Sequence, residues 1–580
     1  MTRLFNDPAA FADEMLDGFV AAHADLVRRV PGGVVRTTAA PSGKVAVVVG
    51  GGSGHYPAFA GLVGPGMADG AALGNIFASP SARQVCSVAR AADRGAGVLL
   101  CFGNYAGDVL HFGQAAELLN SNGIRAITLP VTDDISSATA DEVDKRRGVA
   151  GDLAVFKVAA AAADAGLSLD EVHRVASHAN DRTRTLGVAF SGCTLPGADK
   201  PLFTVPAGRM AVGMGVHGEP GTSETGVPSA DGLAELLVTN LLHDLPADVS
   251  DIRGRRVGLI LNGLGTVKYE ELYVVYRRIA QLLDERGVVI IEPEVGEFVT
   301  SYDMAGVSLT LFWLDDELET YWNAPAHSPA YRKGALTITD TVITDGEQFT
   351  PTTEWVEQRA STADEASRAV AHVVLGALTA IRDTIDDNVG ALGDIDAVAG
   401  DGDHGIGMQR GARAAVEAAT AEVGRGGGAG AVLTAGADAW ADRAGGTSGA
   451  LWGLGLRVLG TSIGNQTKPD AQQVSDGVAA ALRSIQQVGK ADIGDKTLVD
   501  VLAPASDALS AAVANGNGLG AAFAVAADVA QKAAQATADL LPKLGRARPL
   551  AEKSLGTPDA GAVSMALAFG AVSRALADRC

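Results

Sequence analysis

Three aspartates lie close together in a glycine-rich stretch near residue 400. The stretch reads DAVAGDGDHGIG and places Asp396, Asp401 and Asp403 within eight residues. Carboxylates packed this closely repel one another unless a cation lies between them. Oxygen ligands of this kind suit Mg²⁺, which bridges to the phosphates of a bound nucleotide. The stretch therefore predicts a site for Mg²⁺ and a nucleotide, and an acidic turn without a ligand is the alternative.

Three further glycine-rich motifs lie in the first half of the chain. They read GGSGH, GNYAGD and GMGVHGEPG, and each contains one ionisable side chain that could do chemistry, namely His55, Asp108 and His217. Two histidines and an aspartate that converge could bind a metal or serve as acid, base and nucleophile. Taken singly, each histidine could equally be a hydrogen-bonded structural residue, and Asp108 could be a helix N-cap.

The elements that must position these motifs follow from the hydrophobic pattern. Lys44–Gly50, KVAVVVG, predicts a buried strand that runs directly into the first motif. Open α/β sheets bind ligands at such carboxyl ends of strands. Strands alternating with helices predict an α/β domain over residues 1–335. The other predicted strands are Gly97–Phe102, Ile124–Leu129, Met210–Val216, Val257–Leu261, Val288–Ile291 and Val307–Leu314.

The remainder of the chain changes character twice. Residues 336–362 are rich in Thr, Asp and Glu and are interpreted as a linker. From residue 363 to residue 580 the pattern is helical, and Ala-rich amphipathic stretches predict an all-helical domain of about eight helices. The acidic stretch is expected to join two of them. The fold class is therefore an α/β domain followed by an all-α domain.

The composition limits the classes of binding partner that the chain is expected to have. The 580 residues carry a net charge of −22, which argues against nucleic acid or an anionic membrane as the main partner. The N-terminus lacks the apolar core of a signal peptide, and no uncharged apolar run is long enough to span a membrane. The four cysteines lack metal-binding spacing. Free thiols in a reducing cytoplasm are expected.

Several long motifs carry a specific resemblance. GGGSGH, NYAGD, GDLAVFK, GCTLPG and GMGVHGEPG resemble the substrate domain of dihydroxyacetone kinases. DAVAGDGDHG, GGTSGALWG, GDKTLVD and GRARPLAEKSLGTPDAGA resemble the nucleotide domain of the same family, which is a helical barrel. The resemblance covers essentially the whole chain. It implies an ATP-dependent kinase of a short ketose with both domains fused, acting as a homodimer.

The resemblance assigns roles in the first domain. A ring nitrogen of His217 adds to the substrate ketone, and the resulting hemiaminal excludes polyols such as glycerol. Asp108 is the expected general base on the terminal hydroxyl, and His55 hydrogen-bonds the substrate. The residues expected to bind the ketose are Gly52, Ser53, His55, Gly103, Asp108 and His217.

It also assigns roles in the second domain. Asp396, Asp401 and Asp403 are expected to hold two Mg²⁺ ions on the phosphates of ATP, where they neutralise charge during phosphoryl transfer. The residues expected to contact the nucleotide are His404, Gly405, Thr447, Ser448, Gly494, Arg546, Asp559 and Gly561.

Departures from the family pattern bear on the substrate. Where many relatives read GSGHEPAH, this chain has Tyr56 and Phe59, and where many have a lysine it has Gly103. Replacing lysine by glycine opens volume for a longer ketose, as in the erythrulose kinase branch that the chain resembles. D-erythrulose is therefore the favoured substrate and dihydroxyacetone the alternative. Gly103 could instead only relax a loop.

Other functional classes are less well supported. A subunit that is rephosphorylated by a phosphoenolpyruvate-driven carrier is disfavoured by the fusion of both domains. A ketose sensor acting on a transcription factor would have no need of three Mg²⁺ aspartates. A lyase activity on FAD, known in some members of the family, is neither supported nor excluded by the sequence.

Overall fold

The computed structural model describes residues 4–336, 363–400, 402–544 and 548–577. The chain divides into two compact units, Met1–Glu347 and Gln348–Cys580. Apart from Leu336, the predicted linker lies outside the described residues, and its bounds stay a prediction. Asp401 and Arg546 also lie outside them.

The first sheet of the N-terminal unit contains the strand that ends in the GGSGH motif. Its strands are β1 (Val27–Val30), β2 (Gly33–Arg36), β3 (Ala46–Ser53), β4 (Gly70–Ile76), β5 (Val98–Gly103) and β6 (Ala126–Val131). They lie in the order β1-β2-β4-β3-β5-β6. The last four are parallel to one another, and β1 and β2 are antiparallel. β3 is buried along its whole length, as its apolar run predicts.

The second sheet is mostly antiparallel. Its strands are β7 (Thr183–Ala189), β8 (Arg209–Val212), β9 (Ser223–Gly226), β10 (Arg256–Gly263), β11 (Val289–Gly296) and β12 (Gly306–Leu314), in the order β11-β10-β12-β7-β8-β9. A short hairpin follows, β13 (Ala326–His327) and β14 (Arg332–Lys333). The strand predicted to reach Val216 ends at Val212, because Gly213 has a φ of 78° in the left-handed region. The third motif is therefore a loop.

Helices cover the sheets of this unit. Helix α4 is buried along almost all of its length and carries Asp152 in its first turn, while α3 carries Asp108 in its first turn. The helices are α1 (Phe11–Ala22), α2 (Ala82–Ala92), α3 (Ala106–Ser121), α4 (Asp152–Asp164), α5 (Leu169–Asp181), α6 (Ala230–His243), α7 (Tyr269–Glu285) and α8 (Asp316–Trp322).

The C-terminal unit is helical throughout its described residues, which confirms the predicted fold class. Its helices are α9 (Glu365–Asp386), α10 (Val389–Asp396), α11 (His404–Gly424), α12 (Ala429–Ala444), α13 (Gly446–Ile463), α14 (Ala471–Gly489), α15 (Val499–Ala514), α16 (Leu519–Ala536) and α17 (Ala560–Ala577). Helices α11 to α17 pack each against the next, and α9 contacts both α17 and α11. These eight helices close into a ring, with the short α10 outside the sequence of neighbours.

One helix of the ring has a composition that also suits a membrane. Within the described residues, α17 alone is long and apolar enough to cross a bilayer. It packs against α9 and α16 and contains Arg574. A core helix of a helical barrel meets the same criterion, so this single helix is weak evidence for a membrane span.

Candidate active site

A small cavity lies at the carboxyl ends of β3 and β5. These strands are parallel neighbours, so their ends meet at one edge of the sheet, where the motifs on the following loops converge. The cavity encloses about 20 Å³, room for roughly one water molecule. Its lining residues are Gly50, Gly51, Gly52, His55, Phe59, Gly103, Tyr105, Asp108, Gly148, Asp152, Val216, His217 and Val299.

Two buried histidines face each other in this cavity. The Nε2 atoms of His55 and His217 lie 3.0 Å apart. Nδ1 of His55 lies 2.7 Å from the carbonyl oxygen of Thr300, and Nδ1 of His217 lies 2.9 Å from Oε1 of Glu219. Each ring is thus anchored through its Nδ1 atom, and its Nε2 atom is directed at the other ring.

The contact between the two Nε2 atoms requires a proton. The Thr300 carbonyl can only accept, so Nδ1 of His55 donates to it. An ionised Glu219 also accepts, which places a hydrogen on Nδ1 of His217. If both rings were neutral, two lone pairs would face each other. The hydrogen-bond network therefore implies one additional proton, which converts this repulsion into a hydrogen bond.

A buried ion network fixes Glu219. Its Oε2 accepts from the backbone N–H of His217 at 3.0 Å and lies 3.9 Å from Nη1 of Arg147. Arg147 in turn donates to Asp134 through Nε at 2.9 Å and Nη2 at 2.7 Å. Since all these side chains are largely buried, the carboxylate has little freedom to rotate. The orientation of the His217 ring is therefore set by charge-assisted hydrogen bonds.

At Gly103 the cavity wall carries no side chain. A Cβ at this position would lie 3.3 Å from Cε2 of Tyr105, 3.3 Å from the carbonyl oxygen of Gly148 and 3.5 Å from Oδ2 of Asp152. Burial, and then the carboxylates of Asp133 and Asp108, raise the pKa of Asp152 well above its ordinary value. The neutral carboxyl form of Asp152 is therefore favoured. These four residues, Gly103, Tyr105, Gly148 and Asp152, form the Gly103 recess.

The structure brings most of the predicted ketose-binding residues together. Gly52, His55, Gly103, Asp108 and His217 all line the cavity. Ser53 is absent from this lining, since its hydroxyl donates to the carbonyl of Gly74 at 2.7 Å and so links β3 to β4.

The two other positions that depart from the family pattern differ in their placement. Phe59 lines the cavity, whereas Tyr56 is 44% exposed and lies outside the lining. An influence of Tyr56 on the substrate therefore has no support from its position, while Phe59 and Gly103 both face the site.

In the helical unit, the acidic stretch joins α10 to α11, as predicted. Asp396 is the last residue of α10, and Asp403 is at the N-cap position of α11. Burial, and then the Asp396 carboxylate, raise the pKa of Asp403 to about 7. Mutually repelling carboxylate oxygens fit a hard cation such as Mg²⁺. Over the described residues no larger cluster of metal-ligating side chains is assembled, and Asp401 lies outside that part of the chain.

His404 connects three helices beside this loop. Its Nε2 lies 3.0 Å from the hydroxyl of Ser564 on α17, and its Nδ1 lies 3.4 Å from the hydroxyl of Ser448 on α13. Burial lowers the pKa of His404, so the neutral ring is favoured. Thr447 and Ser448 lie in the first turn of α13, whose free backbone N–H groups suit an anion. This end of the barrel is therefore suited to phosphate.

Asp559 lies at the start of α17 near the same loop. Its Oδ1 accepts from the backbone N–H of Ala562 at 2.7 Å, which caps the helix. Burial raises the pKa of Asp559 to about 7, and the Asp396 carboxylate contributes to that increase. Gly561 follows in the first turn, where a Cβ would lie 3.1 Å from Asp559 Oδ1.

Two of the glycines that were predicted to contact the nucleotide have structural roles. A Cβ at Gly405 would lie 2.1 Å from the carbonyl oxygen of Val389, so only glycine permits α11 to pack this closely on α10. The backbone N–H of Gly494 donates to Oδ1 of Asp500 at 2.5 Å. A role of either glycine in nucleotide contact stays a prediction.

Lys496 is a residue of this site that the sequence did not single out. Its Nζ donates to the carbonyl oxygen and hydroxyl of Ser554, at 2.7 and 3.0 Å, and to the carbonyl oxygen of Leu540 at 3.1 Å. It therefore ties the loop before α15 to two segments that precede α17. Asp500, in the first turn of α15, carries a charge that acts on Asp559.

The residues that were missed share one signal. Each lies within a motif on which the family resemblance depends, at a position other than the chemically obvious one. They are Tyr105 in NYAGD, Asp152 in GDLAVFK, Glu219 in GMGVHGEPG and Lys496 in GDKTLVD.

Comparison with known proteins identifies the family of this chain. The Dak1 domain model matches residues 17–330, and the DAK2 domain model matches residues 398–574. An L-erythrulose kinase from Pectobacterium atrosepticum is 61% identical over 99% of this chain and 97% of its own length. The chain belongs to the dihydroxyacetone kinase family. It is a kinase that transfers a phosphoryl group to an alcohol.

Other relatives extend this comparison. A D-erythrulose kinase from Mycolicibacterium smegmatis is 54% identical over 98% of this chain and 97% of its own length. The crystal structure of the dihydroxyacetone kinase from C. freundii in complex with AMP-PNP and Mg²⁺ is 29% identical, with a TM-score of 0.52 and 99% of each chain covered. The two-unit fold is therefore that of the family.

Replacing Lys496 tests its role in holding this end of the barrel. Lys496→Met should destabilise the helical unit by about 2 kcal/mol or more, because three acceptors lose their buried donor. Differential scanning calorimetry of the full chain measures the loss. Lys543→Met is the matched control, since Lys543 is exposed and lies 3.3 Å from Asp495. Equal transitions in both variants would contradict the assignment.

Proposed function

We propose that this kinase transfers the γ-phosphoryl group of ATP to a terminal hydroxyl of erythrulose, held as a hemiaminal on Nε2 of His217. The observation that carries the proposal is the buried contact between the Nε2 atoms of His217 and His55, 3.0 Å apart. A nucleophilic nitrogen and a proton donor then lie side by side. The erythrulose kinases among the relatives support the same substrate.

Addition to the ketone uses both rings. The Nε2 lone pair of His217 forms a bond to the carbonyl carbon, and the π electrons move to the carbonyl oxygen. That oxygen takes the proton shared with His55, and the Nδ1 proton of His217 moves toward Glu219. The carboxylate, 2.9 Å from Nδ1, thereby offsets the positive charge that the ring would otherwise acquire.

The present contact between the rings must open during this step. The cavity of about 20 Å³ is too small for a ketose. Each Nε2 atom also occupies the position from which a ketone would reach the other Nε2 atom. Entry of the ketone between them replaces a nitrogen–nitrogen hydrogen bond by one covalent bond and one hydrogen bond. A polyol cannot make that exchange because it has no carbonyl carbon, which gives chemical selectivity beyond shape.

Asp108 is suited to activate the acceptor hydroxyl. It lies in the first turn of α3, is 7% exposed and lines the same cavity as His217. As general base it would take the hydroxyl proton while the oxygen attacks the γ-phosphorus. The covalent tether restricts the substrate, so the hydroxyl is presented in a limited set of orientations.

The acidic loop is suited to hold the metal–nucleotide complex. Asp396, Asp401 and Asp403 would hold Mg²⁺, with two ions expected, and the ions would neutralise charge on the transferred phosphoryl group. The raised pKa of Asp403 supports this role, because burial and the Asp396 carboxylate outweigh the opposing charge of Arg410. The AMP-PNP and Mg²⁺ complex of the C. freundii enzyme supports it as well.

The Gly103 recess favours a four-carbon ketose over dihydroxyacetone. A Cβ at this position would be in tight contact with Tyr105 and Gly148, so glycine keeps this wall of the cavity free of a side chain that would compete with the substrate. The two erythrulose kinases compared here bear the names of opposite enantiomers. D-erythrulose remains our prediction, and either enantiomer fits the proposal for erythrulose.

The substrate proposal is tested by comparing kcat/KM for D-erythrulose, L-erythrulose, dihydroxyacetone and glycerol, with Mg²⁺ and ATP. We expect one erythrulose to exceed dihydroxyacetone by about tenfold or more, equivalent to about 1.4 kcal/mol, and glycerol to be inert. A preference for dihydroxyacetone would contradict the erythrulose proposal and leave the ketose kinase. Turnover of glycerol would contradict the need for a carbonyl.

The covalent intermediate is tested by native mass spectrometry of the full chain with erythrulose. Wild-type protein should gain the mass of the whole ketose, because a hemiaminal forms without loss of water. His217→Ala should gain nothing, whereas Asp108→Asn should gain the ketose but not turn over. His243→Ala, an exposed histidine on α6, is the control. An adduct on the His217→Ala variant would rule out the proposed nucleophile.

The metal site is tested by calorimetric titration with Mg²⁺–AMP-PNP. Asp403→Ala should weaken binding by about tenfold or more, because one carboxylate of a charge-neutralising set is removed. Asp394→Ala removes an exposed carboxylate two residues before Asp396 and should bind as wild type does. Equal affinity of both variants would remove Asp403 from the site.

A further inference from the structure

Two polar groups of the Gly103 recess lack hydrogen-bond partners in the part of the chain that the structure describes. They are the hydroxyl of Tyr105 and Oδ1 of Asp152, and both atoms are fully buried. Burying such a group unsatisfied is unfavourable by about 1–3 kcal/mol. Because two occur on the walls of one recess that opens to the ketose cavity, a ligand is the natural source of their partners.

The chemistry of the two groups identifies that ligand. Asp152 is 2% exposed, and the charged groups that act on it are the carboxylates of Asp133 and Asp108, so its neutral form is favoured. A neutral carboxyl and a phenol each donate and accept one hydrogen bond or more. A hydroxyl group of a sugar has the same dual capacity. An anionic group would instead meet the negative field of the neighbouring aspartates.

Gly103 lies beside both groups. The ring of Tyr105 and the carboxyl of Asp152 lie 3.3 and 3.5 Å from the position of a Cβ there, and the Gly148 carbonyl lies at 3.3 Å. Any side chain at residue 103 would point between these groups. A Cβ there would already be in tight contact, so one additional carbon and its hydroxyl would lie on the cavity side of Gly103, beside two donors and, with the carbonyl, three acceptors.

We propose that Asp152 and Tyr105 are specificity-determining residues that hydrogen-bond the hydroxyl of the additional carbon of a four-carbon ketose in the Gly103 recess. This rests on the proposed ketose kinase function. A three-carbon ketose lacks that carbon and leaves both groups without their partner. The recess thus distinguishes substrates by their length, while His217 selects substrates that have a carbonyl group.

The test compares erythrulose with dihydroxyacetone in the full-length variants Tyr105→Phe and Asp152→Ala. Each should lower kcat/KM for erythrulose by about tenfold and change that for dihydroxyacetone by less than about threefold, because only the longer ketose loses a hydrogen bond. Asp152→Asn keeps a donor and an acceptor and should restore most of the erythrulose activity. Tyr331→Phe is the control, since its hydroxyl bonds Glu294 at 2.8 Å outside the cavity.

A second variant changes Gly103 itself. Gly103→Ala adds one methyl group at the tight distances given above and should also lower erythrulose activity more than dihydroxyacetone activity. Equal losses for both ketoses in Tyr105→Phe and Gly103→Ala would assign the recess a structural role and overturn the proposal. So would wild-type ratios in both variants. Wild-type protein that phosphorylates neither ketose would refute the proposed function itself.

Discussion

The N-terminal site depends on one proton shared by two imidazole nitrogens. His55 and His217 are each anchored through Nδ1 to a group that accepts, so their Nε2 atoms can approach to 3.0 Å only if one is protonated. Phe77 stacks on His55 with ring centroids 4.9 Å apart and limits access of water. A lone pair and a proton are thus kept together in a small cavity. Addition to a carbonyl needs this combination.

That arrangement is possible because the strand beneath it has three glycines, Gly50, Gly51 and Gly52, just before its last residue. A Cβ at Gly51 would lie 2.4 Å from the ring of Phe59, and one at Gly52 would lie 2.7 Å from the backbone nitrogen of Ala78. Close packing of aromatic rings and backbone against β3 therefore requires glycine at both positions. The glycines thereby bring the rings of Phe59 and Phe77 next to His55, with centroids 6.4 and 4.9 Å apart.

The sequence predicted those features of the fold that depend on residues close together in the chain. The apolar run before GGSGH predicted β3, and the acidic stretch was correctly expected to join two helices of an all-helical unit. The antiparallel second sheet was not foreseen, because pairing of β12 with β7 depends on residues more than a hundred positions apart. Glu219 and Asp152 were missed for a related reason. Their roles follow from what they contact or lack in the fold, such as the ion pair of Glu219 with Arg147.

Both units leave polar groups uncompensated where a ligand would compensate them. In the helical unit burial and the Asp396 carboxylate raise the pKa of Asp403 although Arg410 opposes them, so the ionised carboxylate is disfavoured there. In the Gly103 recess, Tyr105 and Asp152 hold buried atoms without partners among the described residues. A chain selected for stability alone would pair or remove such groups. Tyr105 follows β5, Asp152 begins α4 and Asp403 precedes α11, all within the motifs, which argues that ligand binding has determined these residues.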